Sequence, residues 1–334
     1  MIWYALASLT PAVLLTLAFV FGGPWPLLAL VSITALVFVV DRIPHGLPDA
    51  GTTGRGLNLT LAAVHFGLLP LGIWALGADD TLTTAGKVVV FIGLGLYFGQ
   101  ISNSNAHELI HTASRWPRRL GAAVYSSLLY GHHVSAHLRV HHVHAATDAD
   151  PNSAPLGEGF YSYAARAWRG EFLAGLRADT QQRARRAEPS HLPHPYVYYL
   201  TGSAATLAAA GLIAGWEGIL VLLALAFYAQ MQLLLSDYVQ HYGLRRDVRP
   251  DGRPEPIGAR HSWNAPAWYS SAMMLNAPRH SDHHMHPARA FPSLRIEPAT
   301  MPILPRSLPV MAVLALVPPV WRRVMDRRVA RWQS

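Results

Sequence analysis

An all-α integral membrane protein, with six transmembrane helices and a histidine-rich cap on the cytoplasmic side, is the fold class that the sequence predicts. Three observations carry that expectation. The 334-residue chain is 51% hydrophobic and only 14% charged, with a mean hydropathy of +0.20, well short of the charge usual in a soluble domain. Its apolar residues gather in runs of the length a bilayer core requires, about 20 residues of helix. Finally, 26 of its 27 Lys and Arg fall in segments that a single topology puts on one side.

The runs begin at once, and residues 2–22, 24–40, 57–78 and 87–102 read as four spans within 1–102. The first has no basic start and no small-residue cleavage site, and the second follows directly on Gly22-Gly23-Pro24, so it is expected to stay in place and not to act as a removable leader. Residues 103–196, rich in His, Arg and Pro, end in the breaker-dense Pro189-Ser-His-Leu-Pro193-His-Pro195 and are expected outside the membrane. Two further runs within 197–236, separated by a short turn, predict an antiparallel two-span hairpin. Residues 237–334 are polar and basic again, and their one apolar stretch, 308–321, is interrupted by Pro309, Pro318 and Pro319. It is too short to cross and should lie at the interface or pack on the protein. The whole forms one membrane domain, residues 1–334. Within its spans, Gly95-xxx-Gly99 and the alanines at 204, 205 and 208–210 predict close helix packing.

Basic residues favour the cytoplasmic face of a membrane protein. Ten Arg lie in 103–196, fourteen in 237–334, and Arg42 and Arg55 in the second connection; Lys87 alone borders the opposite side, where Asp79, Asp80 and Glu217 stand. This puts both termini in the cytoplasm, in an inner (cytoplasmic) membrane. The net charge of +8 then answers to topology and anionic lipid, and leaves no case for nucleic acid. The run Arg183-Ala-Arg185-Arg186 reads as a solvated or lipid-facing basic face. Cysteine is absent, which excludes disulfides, thiolate nucleophiles, iron–sulfur clusters and Cys-containing zinc sites. Any metal chemistry must use His, Asp or Glu.

Histidine supplies that chemistry. Of 18 His, eight lie in 107–144 and six in 241–286, both cytoplasmic in this topology. In Asn105-Ala-His107-Glu108-Leu-Ile-His111, four-residue spacing puts two imidazoles on one helix face, able to grip one ion. His137 and His141 repeat the pairing, and His142 points about 100° round the helix towards a different target. Arg279-His280-Ser-Asp282-His283-His284-Met-His286 offers such spacings again, and His241 stands alone in Gln240-His241-Tyr242-Gly243. These elements supply nine imidazoles, whereas one zinc takes at most four protein ligands, so two ions are expected. Imidazole suits iron, copper, nickel and zinc alike. Two nitrogen-rich ions with open positions beneath a membrane suggest O2 activation on a lipid-soluble substrate, with iron the expected element.

The boxes HELIH, HLRVHH and HSDHH, with QHYG before the last, resemble the membrane di-iron desaturases and hydroxylases. The closer similarity is to the alkane 1-monooxygenase family, through residues 105–111, His141-His142, Asp150-Pro151, Gly157-Glu158, His241-Tyr-Gly-Leu244, His261-Ser-Trp263-Asn264 and residues 279–287. It runs from about residue 100 to 298; the first hundred residues match only in their pattern of spans. The resemblance implies a six-helix membrane domain holding two non-haem irons, with O2 as co-substrate. The ligands it implies are His107, His111, His137, His141, His142, His241, His280, His283 and His284, with no catalytic side chain beyond them. It implies terminal hydroxylation of an alkane or another hydrophobic substrate taken from the bilayer lipid, with electrons from rubredoxin and its reductase. With no Cys here, that donor is expected to be a separate protein. Gln240 departs from the Glu usual before the HYG histidine and removes a charge near the irons.

Other readings are a fatty-acyl desaturase or hydroxylase, a zinc protease in which Glu108 of HELIH is the general base, and a metal transporter. The seven further histidines would be purposeless in a protease, which makes Glu108 a carboxylate that orients an imidazole. Spans almost free of ionisable residues, His65 apart, count against a transport path. Asp150, Glu158 and Asp282 are further candidate acceptors for imidazole N–H groups. For His132, His133, His144, His261 and His286 hydrogen bonding or an exposed position is expected, and for His45, His65, His191 and His194 a structural or interfacial one.

Overall fold

The structure is a computed structural model describing residues 1–47, 51, 53–188 and 191–333; Pro189 and Ser190 of the breaker segment lie outside the described residues. Those residues contain helices and two isolated β-bridges, but no strand. Helix α1 (Ile2–Phe21) ends at Gly22-Gly23, whose φ values of 58° and 56° turn the chain back. The next run is not the continuous span expected over 24–40. It is broken into α2 (Trp25–Ile33) and α3 (Ala35–Val40) at Thr34, φ −123° and ψ −88°. Thr34 Oγ1 donates to the Leu30 carbonyl at 2.6 Å, the local side-chain bond with which Thr competes against the helical ladder.

Helix α4 (Arg55–Gly77) is continuous. Helix α5 (Thr84–Leu96) starts where Thr83 Oγ1 accepts the Gly86 N–H at 3.1 Å, and passes through a π-helical segment (Tyr97–Ser102) into α6 (Asn103–His111). The result is one 28-residue rod, Thr84–His111, which extends past the expected end at 102 and carries His107 and His111 out with it. Helix α7 (Arg115–Ser127) folds back on α6. A second π segment (His137–His141) separates α8 (His133–Ala136) from α9 (His142–His144).

Helix α10 (Phe160–Ala184) lies against α8. Helix α11 (Pro195–His241) has non-helical backbone at Ala214 and Gly215, φ 60° at the latter. There the chain reverses: Ser203 Oγ donates to the Ser126 carbonyl at 3.0 Å and Gln230 Nε2 to that of Leu128 at 2.8 Å, so both arms reach one turn. The two arms of α11 thus lie side by side. Helices α12 (Trp268–Met273), α13 (His280–Met285), α14 (Leu308–Ala315) and α15 (Pro318–Val329) complete the chain. Leu308, Met311, Ala315 and Trp321 are buried, so the proline-interrupted stretch packs on the protein.

Among the described residues four helices are long and apolar enough to cross a membrane: Ile2–Phe21, Arg55–Gly77, Thr84–His111 and Pro195–His241. With Leu212, Trp216 and Phe227 on its outside, the molecule is a membrane protein. Helices inside it approach closely at small residues. A Cβ at Gly95 would overlap the Tyr228 ring, and one at Gly99 the Gln232 side chain, which is the packing that Gly95-xxx-Gly99 predicted. At the α11 turn a Cβ on Gly218 would overlap the Ala210 carbonyl, whereas one on Gly67 meets nothing within 4 Å. Backbone cannot yield as a flexible side chain can. Gly218→Ala should therefore destabilise the hairpin by about 1–3 kcal/mol and lower the melting temperature in detergent; Gly67→Ala should not. Equal melting temperatures for the two variants would refute this packing.

Candidate metal centre

The nine candidate imidazoles converge on one place in two groups. His107, His111, His137, His142 and His283 form one and His141, His241, His280 and His284 the other, with the ligand atoms of each group within 4.8 Å of one another. In the second group Nε2 of His241 lies 2.9 Å from that of His280 and 3.2 Å from that of His284, which is 3.1 Å from His280 Nε2. In the first, Nε2 to Nε2 distances are 3.0 Å for His111–His137, 3.0 Å for His137–His142 and 3.1 Å for His142–His283. The groups abut, the rings of His142 and His284 having centroids 4.7 Å apart.

Hydrogen bonding does not account for this arrangement. A neutral imidazole Nε2 carries one proton or one lone pair, so three of them in a closed triangle cannot all be paired. A cation at the focus satisfies all three at once. With metal–nitrogen bonds of about 2.0–2.1 Å, neighbouring ligand atoms stand about 2.9 Å apart at a right angle and about 3.4 Å apart at tetrahedral corners. The spacings here fit adjacent corners of an octahedral or square-pyramidal ion, and five nitrogens exceed what a tetrahedral zinc takes.

Local backbone explains which histidine goes where, and corrects the expected pairing. His137 and His141 do not share an ion site; His137 pairs with His142, and His141 turns to the other group. The cause is the π turn, in which the His142 N–H reaches the His137 carbonyl, so the i,i+5 pair lies on one face. A second i→i−5 bond, Asn103 N–H to the Phe98 carbonyl, sets the phase of α6 before His107. In α13 the spacing behaves as expected: His280 and His284, one turn apart, share a group, and His283 faces the other.

Asp150 orients His141. Its Oδ2 accepts the His141 Nδ1–H at 2.9 Å and the Ser153 hydroxyl at 2.7 Å, and Oδ1 accepts the Asn152 N–H at 3.1 Å. That leaves the buried His141 Nε2, without a protein partner, for a metal. Burial pushes the Asp150 carboxyl up, but His141 and these hydrogen bonds outweigh it and hold it below its ordinary value. Burial first, and then mutual repulsion, press His137, His142, His283 and His284 well below the usual imidazole value, and His280 down to about 3. Neutral imidazoles are the form that binds metal.

The other three carboxylates expected to orient imidazole ligands do different work. Glu108 Oε2 accepts the Phe291 N–H at 3.1 Å, tying α6 to the C-terminal segment, so it does not face the imidazoles as a general base would. Glu158 forms a two-point pair with Arg166, 2.7 and 3.0 Å. Asp282 accepts from His286 Nδ1 at 2.9 Å, Arg289 Nη1 at 2.6 Å and the Arg295 N–H at 2.9 Å, clamping α13 against the segment that follows. His261 bonds Gly258 N–H and Glu255, and His65 lies buried between the hydroxyls of Ser102 and Ser127. Gln240 accepts from Ser236 and donates to the Ala277 carbonyl.

Three buried acids beside the second box escaped the sequence reading. Glu171 lies 3.3 Å from His132 Nε2 and 3.4 Å from His133 Nδ1, and the Asn152 amide joins it at 3.0 Å to Asp237 at 2.8 Å. Burial opposes the Glu171 carboxylate, but His133 and His132 prevail and hold its carboxyl well below the ordinary value. Asp179 pairs with Arg139 and Ser135. The signal was present in α10, whose buried line Tyr163, Ala167, Glu171, Gly175, Asp179 puts two acids on an otherwise uncharged face. Asn264 also went unremarked as a clamp: its Oδ1 accepts the Ser281 N–H at 2.9 Å, and its amide reaches the Ser281 hydroxyl at 2.7 Å and the Pro302 carbonyl at 3.1 Å.

The fatty acid desaturase family model matches residues 83–314. The chain is 30% identical over 327 residues to alkane 1-monooxygenase 2 of Pseudomonas aeruginosa, covering 94% of this chain and 86% of that protein. Alkane 1-monooxygenase 1 of the same organism is 33% identical over 285 residues, 84% and 74% of the two chains. The chain belongs to the alkane 1-monooxygenase family. A more distant relative is the xylene/toluene monooxygenase hydroxylase component XylM of Pseudomonas putida, 26% identical over 319 residues, 91% and 82% of the two chains. Like the monooxygenases of its family, this chain is an O2-incorporating oxidoreductase, and its histidines form a metal site.

The lowered imidazole values have a thermodynamic consequence. His280 titrates at about 3 when folded against 6.5 as the ordinary value, so between those values the unfolded chain binds more protons than the folded one. Its contribution is complete above pH 6.5 and declines as pH falls towards 3. Metal-stripped protein should therefore melt at steadily lower temperature as pH is lowered from 7.5 to 5, and Fe(II) added at pH 7.5 should raise the melting temperature. A pH-independent melting temperature for the stripped protein would refute the assignment of these buried groups.

Proposed function

We propose that the protein is a non-haem di-iron monooxygenase of the inner membrane that hydroxylates the terminal methyl group of an alkane. His107, His111, His137, His142 and His283 would hold one iron and His141, His241, His280 and His284 the other. The observation that carries this reading is the sorting of nine imidazoles into two adjacent sets, within which neighbouring Nε2 atoms of seven of them stand 2.9–3.2 Å apart. A protease needs one zinc and a free Glu108, and that carboxylate is engaged with Phe291.

A cavity of about 810 Å³ leads to both groups, bounded by His107, His137 and His280 at its inner end and by Phe38, Leu96, Val313 and Leu316 further out. Its wall is overwhelmingly apolar, which draws a hydrocarbon from the bilayer and keeps water away. Bound irons supply the reductive activation of O2 that puts one oxygen atom into a C–H bond. The chain's own residues hold the imidazoles rigid: Asp150 fixes His141, Asn264 the start of α13, and Gln240 the end of α11. The broken Trp25–Val40 stretch and the two arms of α11 would bring the spans to six, with both termini and the histidine cap in the cytoplasm, in a single domain over 1–334. Two electrons per turnover would come from a separate rubredoxin and its reductase.

Purified protein should contain about two irons per chain, and His284→Ala should lose metal from the four-histidine group first. One zinc with no iron would end the reading. Cells supplied with rubredoxin and reductase should convert medium-chain alkanes to 1-alkanols, His142→Ala should reduce this at least about a hundredfold, and Glu108→Gln should not abolish it. Loss of all oxidation in Glu108→Gln with metal content intact would reinstate a catalytic carboxylate.

A further inference from the structure

The four-histidine group is oriented unevenly. Asp150 accepts the His141 Nδ1–H, whereas no carboxylate among the described residues accepts from His241, whose Nδ1 is buried. His241 is the last residue of α11, so its imidazole points where the end of that helix points. Tyr242, the first residue beyond, is held at three polar points. Its hydroxyl donates to Asp326 Oδ1 at 2.7 Å and accepts the Gly157 N–H at 2.9 Å, and its carbonyl accepts the Trp263 Nε1–H at 2.9 Å. The buried Trp321 indole packs edge-on to the Tyr242 ring, centroids 5.3 Å apart. Gly243 follows with φ 73°; its N–H donates to the Ala154 carbonyl at 2.9 Å and its own carbonyl accepts from Gln333 Nε2. A Cβ at Gly243 would overlap the Val329 side chain. Trp321, Asp326 and Val329 all belong to α15, and Gln333 comes just after it. The C-terminal helix therefore closes over the turn that ends α11.

We propose that Asp326 is a positioning residue: through the Tyr242 hydroxyl it fixes the end of α11 and so aims His241 at the four-histidine group, making metal affinity there depend on the C-terminal helix. The proposal rests on the reading of the two histidine groups as two iron sites. An imidazole at a helix end swings with the last turn, so a hydrogen bond that stops this turn from fraying narrows the directions the ring can take. For His241 that bond replaces the direct carboxylate that His141 receives from Asp150. The effect is confined to one site, because the five-histidine group takes no ligand from α11. That group is an internal reference. The same hydroxyl also ties α11 to Gly157, whose carbonyl accepts from Arg322 of α15 at 3.3 Å. One helix thus braces both the His241 turn and the loop that follows the second box.

The test titrates metal-stripped, full-length protein with Fe(II) in the absence of O2 and follows each site by its Mössbauer signal, the four-histidine site being the one that His284→Ala empties. In D326A affinity at that site should fall about 10–100-fold, while the other site stays within about threefold. Y242F keeps the ring packing and should lose affinity at the same site. The double variant D326A/Y242F should be little worse than Y242F alone, since both remove the same hydrogen bond. D326N keeps an oxygen that accepts from Tyr242 and should restore most of the affinity, which separates the hydrogen bond from the charge. Unchanged affinity in D326A and Y242F overturns the proposal. So does an equal loss at both sites with a lowered melting temperature of the stripped variants, which would make the contact a general prop of the fold. Wild type that takes up one Fe(II) or none would instead overturn the two-iron reading itself.

Discussion

Nine imidazoles crowded into a water-poor space are the constraint on which the rest of the structure depends. Each buried ring loses its solvation, and neighbours a few ångströms apart would repel if protonated. The folded chain must therefore hold them neutral, close and correctly rotated before any ion arrives. That work falls to the scaffold: a 28-residue rod delivers His107 and His111, the second arm of α11 delivers His241, and two short helices deliver the rest. Short helices are weak by themselves. Here α13 is pinned at its start by Asn264 and braced by Asp282 through Arg289 and the Arg295 N–H, and the π segment at 137–141 is backed by Asp150, Asp179 and the His133–Glu171 contact.

The two π segments divide the histidines between the groups. Helical periodicity alone assigns His137 and His141 to one ion, and would leave His142 as the outlier. One i→i−5 bond reverses this, because inserting a residue into a turn rotates everything after it by roughly a quarter to a third of a circle. A doublet of adjacent histidines can then serve two ions from one short segment, His142 to one side and His141 to the other. No sequence rule for an α-helix contains that result.

Much of the molecule was legible in its sequence, for identifiable reasons. Hydropathy located α1, α4, α5 and the α11 hairpin because membrane helices are long and uniform in composition, and density in the chain revealed the histidines because one residue type performs one task. What remained hidden depends on register or on single contacts. Thr34 breaks the second run with one hydroxyl, and Glu171, Asp179 and Asp237 look like surface acids until helix packing buries them. Glu158 and Asp282 were expected to accept imidazole N–H groups because of where they stand in the sequence; Arg166 takes Glu158, and Asp282 accepts from His286, outside the two histidine groups, and from Arg289.

The buried acids also answer a question of charge. Neutral imidazoles contribute nothing against the charge of divalent ions, so an all-histidine pair of sites is strongly cationic unless the surroundings compensate. Asp150, Glu171 and Asp237 are 2%, 1% and 7% exposed, and the Asn152 amide links the last two beside the second histidine box. Asp150 and Glu171 sit behind the second histidine box, where a carboxylate lowers the field without itself being a ligand, and Asp237 also borders the cavity. Against that background Gln240 is informative. A carboxylate there would add charge at the cavity wall, facing substrate, whereas the amide spends its donor on Ala277 and its acceptor on Ser236. At position 240 the cavity wall thus carries no charge, and the carboxylates that contact histidines of the second box, Asp150 and Glu171, stay outside the cavity.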